Sequence, residues 1–170
     1  KMGITDLDDF HSIKDFYGKH LAIKENEIVT YYTFVNWFKK ERYKFKGLKG
    51  IDELAVWTEI RGIIKGYLGL EYSEVRFLSH HGKRRILSLD QYINLPKGYS
   101  NFSEREKEAI YQVALHYQNW LNEKNLFDEN DLAVEIIKKV QAKEIEQYSY
   151  LIVDEIQDLS ETQLYMVSQL

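Results

Sequence analysis

The 170-residue sequence predicts a mainly α fold with a few short strands. Three observations carry this. Apolar residues recur at helical spacing over several long segments, and proline, which would interrupt them, occurs only at Pro96. Ser103 and Ser160 each stand three residues ahead of a Glu or Gln, the spacing of a capping box that opens a helix.

Taken in order, residues 5 to 20 read as a short helix after a Thr5 or Asp6 cap, with Leu7, Phe10, Ile13 and Phe16 or Tyr17 on one face. Ile28 to Thr30 read as a short strand turning into a helix near Thr33. A basic run follows, with Lys39, Lys40, Arg42, Lys44, Lys46 and Lys49 interleaved with Tyr43 and Phe45. Such a run suits a single-stranded nucleic acid, whose backbone charge and base faces are met together, and it equally suits a solvated helix end. From Ile51 to Tyr67 the positions Leu54, Trp57, Ile60, Ile64 and Tyr67 keep a helical period, with Gly69 as the stop.

Val75 to Leu78 and Arg85 to Leu89 are β-prone runs, so a hairpin is expected near 72–90 with Gly82 at its tip. Arg76, Lys83, Arg84 and Arg85 make it the densest basic patch. His80 and His81 are adjacent, unlike helical metal ligands, and read as loop residues. A long helix then opens at Ser103 with Ile110, Val113, Tyr117, Trp120 and Leu121 on its apolar stripe. Another spans about 130 to 142 with Leu132, Ala133, Ile136, Ile137 and Val140 inward.

Cysteine is absent, which excludes disulfides and thiolate metal sites. No apolar run is long enough to span a membrane and no basic-then-apolar leader opens the chain, so a cytoplasmic protein without a membrane partner is expected. The net charge of −4 carries no global nucleic-acid signature. Its distribution is uneven. Residues 121–170 hold 4 basic and 11 acidic side chains, a net of −7, which leaves +3 on residues 1–120.

The acidic part contains the stretch with the clearest chemistry, YSYLIVDEIQDLSETQL. Tyr150 to Val153 form an apolar run too short for a core helix, which predicts a buried parallel-type strand, and it stops at Asp154 and Glu155. Paired carboxylates at the carboxyl end of such a strand suit nucleotide hydrolysis, which needs a Mg²⁺ carboxylate and a group that orients water. The string LIVDEIQDLSETQL resembles the Walker B segment, motif II, of the UvrD/Rep-like superfamily 1 DNA helicases. The resemblance implies that Asp154 holds Mg²⁺ through water, Glu155 activates the attacking water, and Gln157 reports the γ-phosphate to the DNA-binding surfaces. Ser160 and Gln163 could equally do no more than start the last helix.

Upstream, Thr30, Tyr31, Thr33 and Phe34 match motif Ib of the same family, with Tyr32 in place of the usual histidine. VWTEIRGIIKGY, EREKEAIYQVALHYQNWL and LFDENDLAVEII resemble strings of the helical 1B insertion found in some members. The resemblance covers about Ile28 to Leu170 and implies three regions. Residues 1–40 belong to the first RecA-like domain, 41–147 to the 1B-like insertion, and 148–170 to the Walker B strand and helix returning to that domain. It implies single-stranded or partly duplex DNA as partner, met by Thr30, Tyr31, Thr33, Lys39, Lys40, Arg42, Arg76, Lys83, Arg84 and Arg85. ATP and Mg²⁺ are the implied cofactors of the parent protein, with none expected on this piece, because no G-x-x-x-x-G-K-S/T phosphate loop occurs and the second RecA-like domain is missing. Two other readings stand beside the motor. One is a helical module binding nucleic acid or protein without ATPase activity; the other is a metal nuclease using Asp154, Glu155 and Asp158, for which no basic residue adjoins the acids.

Overall fold

The computed structural model of the chain describes residues 12–68 and 86–170. Among them the fold is helical. Seven α-helices are present: α1 (Ile13–Leu21), α2 (Tyr31–Glu41), α3 (Glu53–Glu59), α4 (Leu89–Ile93), α5 (Glu104–Lys124), α6 (Glu129–Gln141) and α7 (Glu161–Gln169). A π-helical turn, Ile60–Ile64, continues α3.

Local capping sets most of the helix starts. Ser12 caps α1, since its side chain accepts the Asp15 N–H and Asp15 reaches back to it. Thr5, Asp6, Leu7 and Phe10 lie outside the described residues, as do Gly69, His80, His81 and Gly82. Ser103 and Ser160 open α5 and α7 through the expected capping boxes. Asp128 does the same for α6, whose five expected core positions are all buried.

Three expectations are corrected. Ile28–Thr30 form no strand: Ile28 makes one parallel bridge to Phe127, and α2 begins at Tyr31 because the Thr30 side chain takes the cap. The second arm of the expected hairpin fails at its described end, residues 86–89. There Ser88 and Gln91 form a capping box that starts α4, while Leu87 packs inward with its N–H on the Ile64 carbonyl. On α3, Leu54 faces solvent at 55% exposure, and the buried row is Val56, Ile60 and Ile64. The wider π turn keeps this i, i+4 row on one face, so the three-residue step from Leu54 to Trp57 misjudges the phase.

Two cores result. The larger is aromatic and gathers α2, α3, α4 and α5, with Phe34, Phe38 and Tyr117 fully buried; Phe34 stacks on Phe38 at 5.6 Å and meets Tyr117 edge-on at 5.3 Å. The smaller joins α1, α6 and α7 through Phe16, Tyr17, Ile136, Ile137 and Met166. Where they meet, the Lys65 ammonium is buried against Asp128 at 2.6 Å and Asp131 at 3.0 Å. Gly66 follows it and has no space for a side chain. A Cβ there would stand 2.3 Å from the Arg61 carbonyl and 2.9 Å from the Ser160 Cβ. That closeness lets the Gly66 carbonyl accept the Thr162 N–H at 2.9 Å, which seats the start of α7 on the π turn.

Candidate functional site

Asp154 and Glu155, the acids of the motif II resemblance, lie on the link between α6 and α7. The expected buried strand from Tyr150 to Val153 is instead an irregular segment, with Tyr150 75% and Ile152 88% exposed. A strand needs a partner for its backbone groups, and among the described residues none lies beside it. Its neighbour Tyr148 is held instead by α7, donating its N–H to the Leu170 carbonyl at 2.5 Å.

Asp154 and Glu155 form a turn. Glu155 adopts the left-handed conformation at φ 51°, its N–H is accepted by the Asp154 Oδ1 at 2.9 Å, and the Gln157 side-chain amide bonds its carboxylate. The 3-10 turn Ile156–Asp158 follows, closed by the Asp158 N–H on the Glu155 carbonyl at 2.9 Å. Asp154, Glu155, Gln157 and Asp158 are all exposed. A cavity of about 500 Å³ opens beside them, lined by Ile13, Phe16 and Met166 together with Asp154, Glu155 and Arg61.

Arg61 and Lys65 are the residues that sequence reasoning passed over. Arg61 reaches from the π turn to Glu129 at 2.9 Å, to the Asp158 carbonyl at 3.1 Å and to the Gln163 side-chain oxygen at 3.3 Å. Its own carbonyl accepts from the Asn130 side chain, which in turn accepts from the Ser160 hydroxyl. The string EIRGIIKG therefore encodes a joint: Arg61 and Lys65 bind the starts of α7 and α6, and Gly66 gives them room.

At the motif Ib corner, Thr30 spends its hydroxyl on the α2 cap and bonds the Thr33 hydroxyl at 3.1 Å. Tyr31 leans on Trp57, Phe34 is core, and Tyr32 points outward at 78% exposure. Lys39 and Lys40 are exposed, whereas the Arg42 guanidinium turns onto the carbonyls of Leu48 and Ile51, at 3.0 and 2.5 Å, and lies over Phe38. Arg76, Lys83, Arg84 and Arg85 lie outside the described residues.

Lys40, with Lys44 and Lys124, lines a groove of about 650 Å³ between α2 and α5. Trp37 and Trp120, stacked at 5.5 Å, form its aromatic wall. Glu41 crosses it, bonding Lys44 and His116; the Lys44 bond first, then the His116 bond, holds the Glu41 carboxyl below the usual range.

Among the described residues no group of three or more His, Asp or Glu side chains gathers to hold a metal. Mg²⁺ asks less of a protein, since one or two carboxylates with phosphates and water suffice, so the Asp154–Glu155 turn fits its protein share. No helix among the described residues is long and apolar enough to cross a membrane.

Among the described residues the body is mainly helical, and the Asp154–Glu155 turn lies on the link between α6 and α7. The UvrD/REP helicase N-terminal domain model matches residues 10–170, and the chain belongs to that family. No curated protein and no solved structure matches it.

Proposed function

We propose that the chain supplies the motif II part of an ATP-dependent motor of the UvrD/Rep type that moves on single-stranded DNA. In this reading residues 1–40 and 148–170 belong to the first RecA-like domain and 41–147 to its helical insertion. Family membership over residues 10–170 carries the reading, and the exposed Asp154–Glu155 turn beside an open cavity supports it. Asp154 would hold the Mg²⁺ through water and Glu155 would orient the attacking water. Mg·ATP supplies a phosphoryl group whose transfer needs positioning and charge stabilisation rather than covalent help. Gln157, whose side-chain amide bonds the Glu155 carboxylate, would report the γ-phosphate to the DNA-binding surfaces. The phosphate loop that must complete the site does not occur in this sequence.

The test is ATP hydrolysis by the natural polypeptide that carries residues 10–170, with and without single-stranded DNA, comparing wild type with Glu155→Gln. DNA-stimulated turnover lost in the variant, with ATP binding retained, is the expected result. Residues 1–170 alone should turn over no ATP; Mg²⁺-dependent turnover by them that Glu155→Gln abolishes would overturn that expectation while upholding the role of Glu155.

A second reading, a helical nucleic-acid-binding module without ATPase activity, is favoured by the groove between α2 and α5. There Lys40 and Lys124 have no acidic partner among the described residues and stand beside tryptophans, the combination that grips a single strand.

A further inference from the structure

We infer that Arg61 is a positioning residue for the motif II acids, which it holds through the backbone of Asp158. The inference rests on the motor reading for its consequence in catalysis but not for its geometry. One guanidinium nitrogen donates to the Asp158 carbonyl at 3.1 Å, and the Asp158 N–H donates to the Glu155 carbonyl at 2.9 Å. Only this short relay separates Arg61 from the carboxylate proposed to orient water.

The rest of the turn has few other anchors. Ile156 is 49% exposed, and the side chains of Asp154, Glu155 and Gln157 bond only within these three residues among the described residues. Glu155 also stands in the left-handed region, which a non-glycine residue leaves readily unless its neighbours fix it. The guanidinium is itself clamped. Glu129 binds it at 2.9 and 3.2 Å, and the Gln163 oxygen that accepts from it also accepts the Ser160 N–H at 3.0 Å. On its other side, the Arg61 carbonyl is tied through Asn130 to Ser160. A planar fork of several donors can make these contacts together; a lysine in its place can make only some of them.

A merely structural role would be the Glu129 ion pair, which ties the π turn to α6 without involving motif II. Two variants separate the roles, because Arg61→Ala removes both connections and Glu129→Gln removes only the ion pair. The first measurement is backbone ¹⁵N relaxation on residues 1–170. In Arg61→Ala the order parameters of residues 155–158 should fall from the rigid value of about 0.85 to below about 0.6, with α5 unchanged. Arg61→Lys should lie between, and Glu129→Gln should resemble wild type. Unchanged order in Arg61→Ala, or equal loosening in Glu129→Gln, would overturn the inference.

The second measurement is ATP turnover by the natural polypeptide that carries residues 10–170. Arg61→Ala should lower kcat about 10-fold to 100-fold, the scale of a small misplacement at a reacting centre, while KM for ATP stays within about twofold. Arg61→Lys should recover part of the loss. Wild-type turnover that survives Arg61→Ala would overturn the inference. A wild type without turnover would instead remove the motor reading, and the relaxation result would then decide the positioning role alone.

Discussion

Glu106 accepts bonds from both the hydroxyl and the N–H of Ser103, at 2.7 and 2.9 Å, and these hold its carboxyl below the ordinary glutamate value of 4.5. A depressed value in the folded state means stability that is complete above the unfolded value and is lost as pH falls through the folded one. Melting of wild type against Glu106→Gln should therefore show a wild-type advantage near neutral pH that closes below about pH 4.5. An advantage that persists in acid would mean that the neutral acid caps α5 as well as the carboxylate. The serine-to-glutamate spacing made this cap legible. Arg61 was not legible, because an arginine on a helix gives no local sign of whether it meets solvent, an acid or a distant carbonyl.

The π turn after α3 lies where the two cores meet. Lys65 closes it with its side chain 1% exposed and its ammonium between Asp128 and Asp131, themselves 6% and 2% exposed at the side chain. Removing one partner of such a group leaves buried charge uncompensated. Lys65→Met should cost about 3–5 kcal/mol in urea unfolding, far above a typical surface substitution. A loss below about 1 kcal/mol would show that water reaches the two carboxylates once the lysine is gone. Among the helices α5 and α6 were the most legible from their period, whereas α4 stands where a hairpin arm was expected. The phase of α3 was not legible, since a π turn alters which residues share a face and nothing in the residues from Ile60 to Ile64 announces it.

Across the whole molecule, charge and aromatic rings converge from separate helices. Lys40 and Trp37 come from α2, Trp120 and Lys124 from the end of α5, and only packing of the two helices makes a groove of them. If a single strand lies there, an oligothymidylate should quench the tryptophan fluorescence of residues 1–170. Lys40→Glu with Lys124→Glu should then weaken binding and flatten its salt dependence by about 0.7 per lysine in the log–log slope. Binding with an unchanged slope in the double variant would place the nucleic acid elsewhere on the molecule.

Residue order by itself determined the helical class, the caps of α5 and α7, and the inward faces of α5 and α6, because period and cap spacing are set within a few residues along the chain. Tertiary structure decided the rest. It set Tyr150 to Val153 in the open, since a strand exists only beside another strand. It also turned Arg42 inward onto two carbonyls and brought Arg61 to Asp158 across 97 positions of sequence, since such pairings depend on which helices pack together.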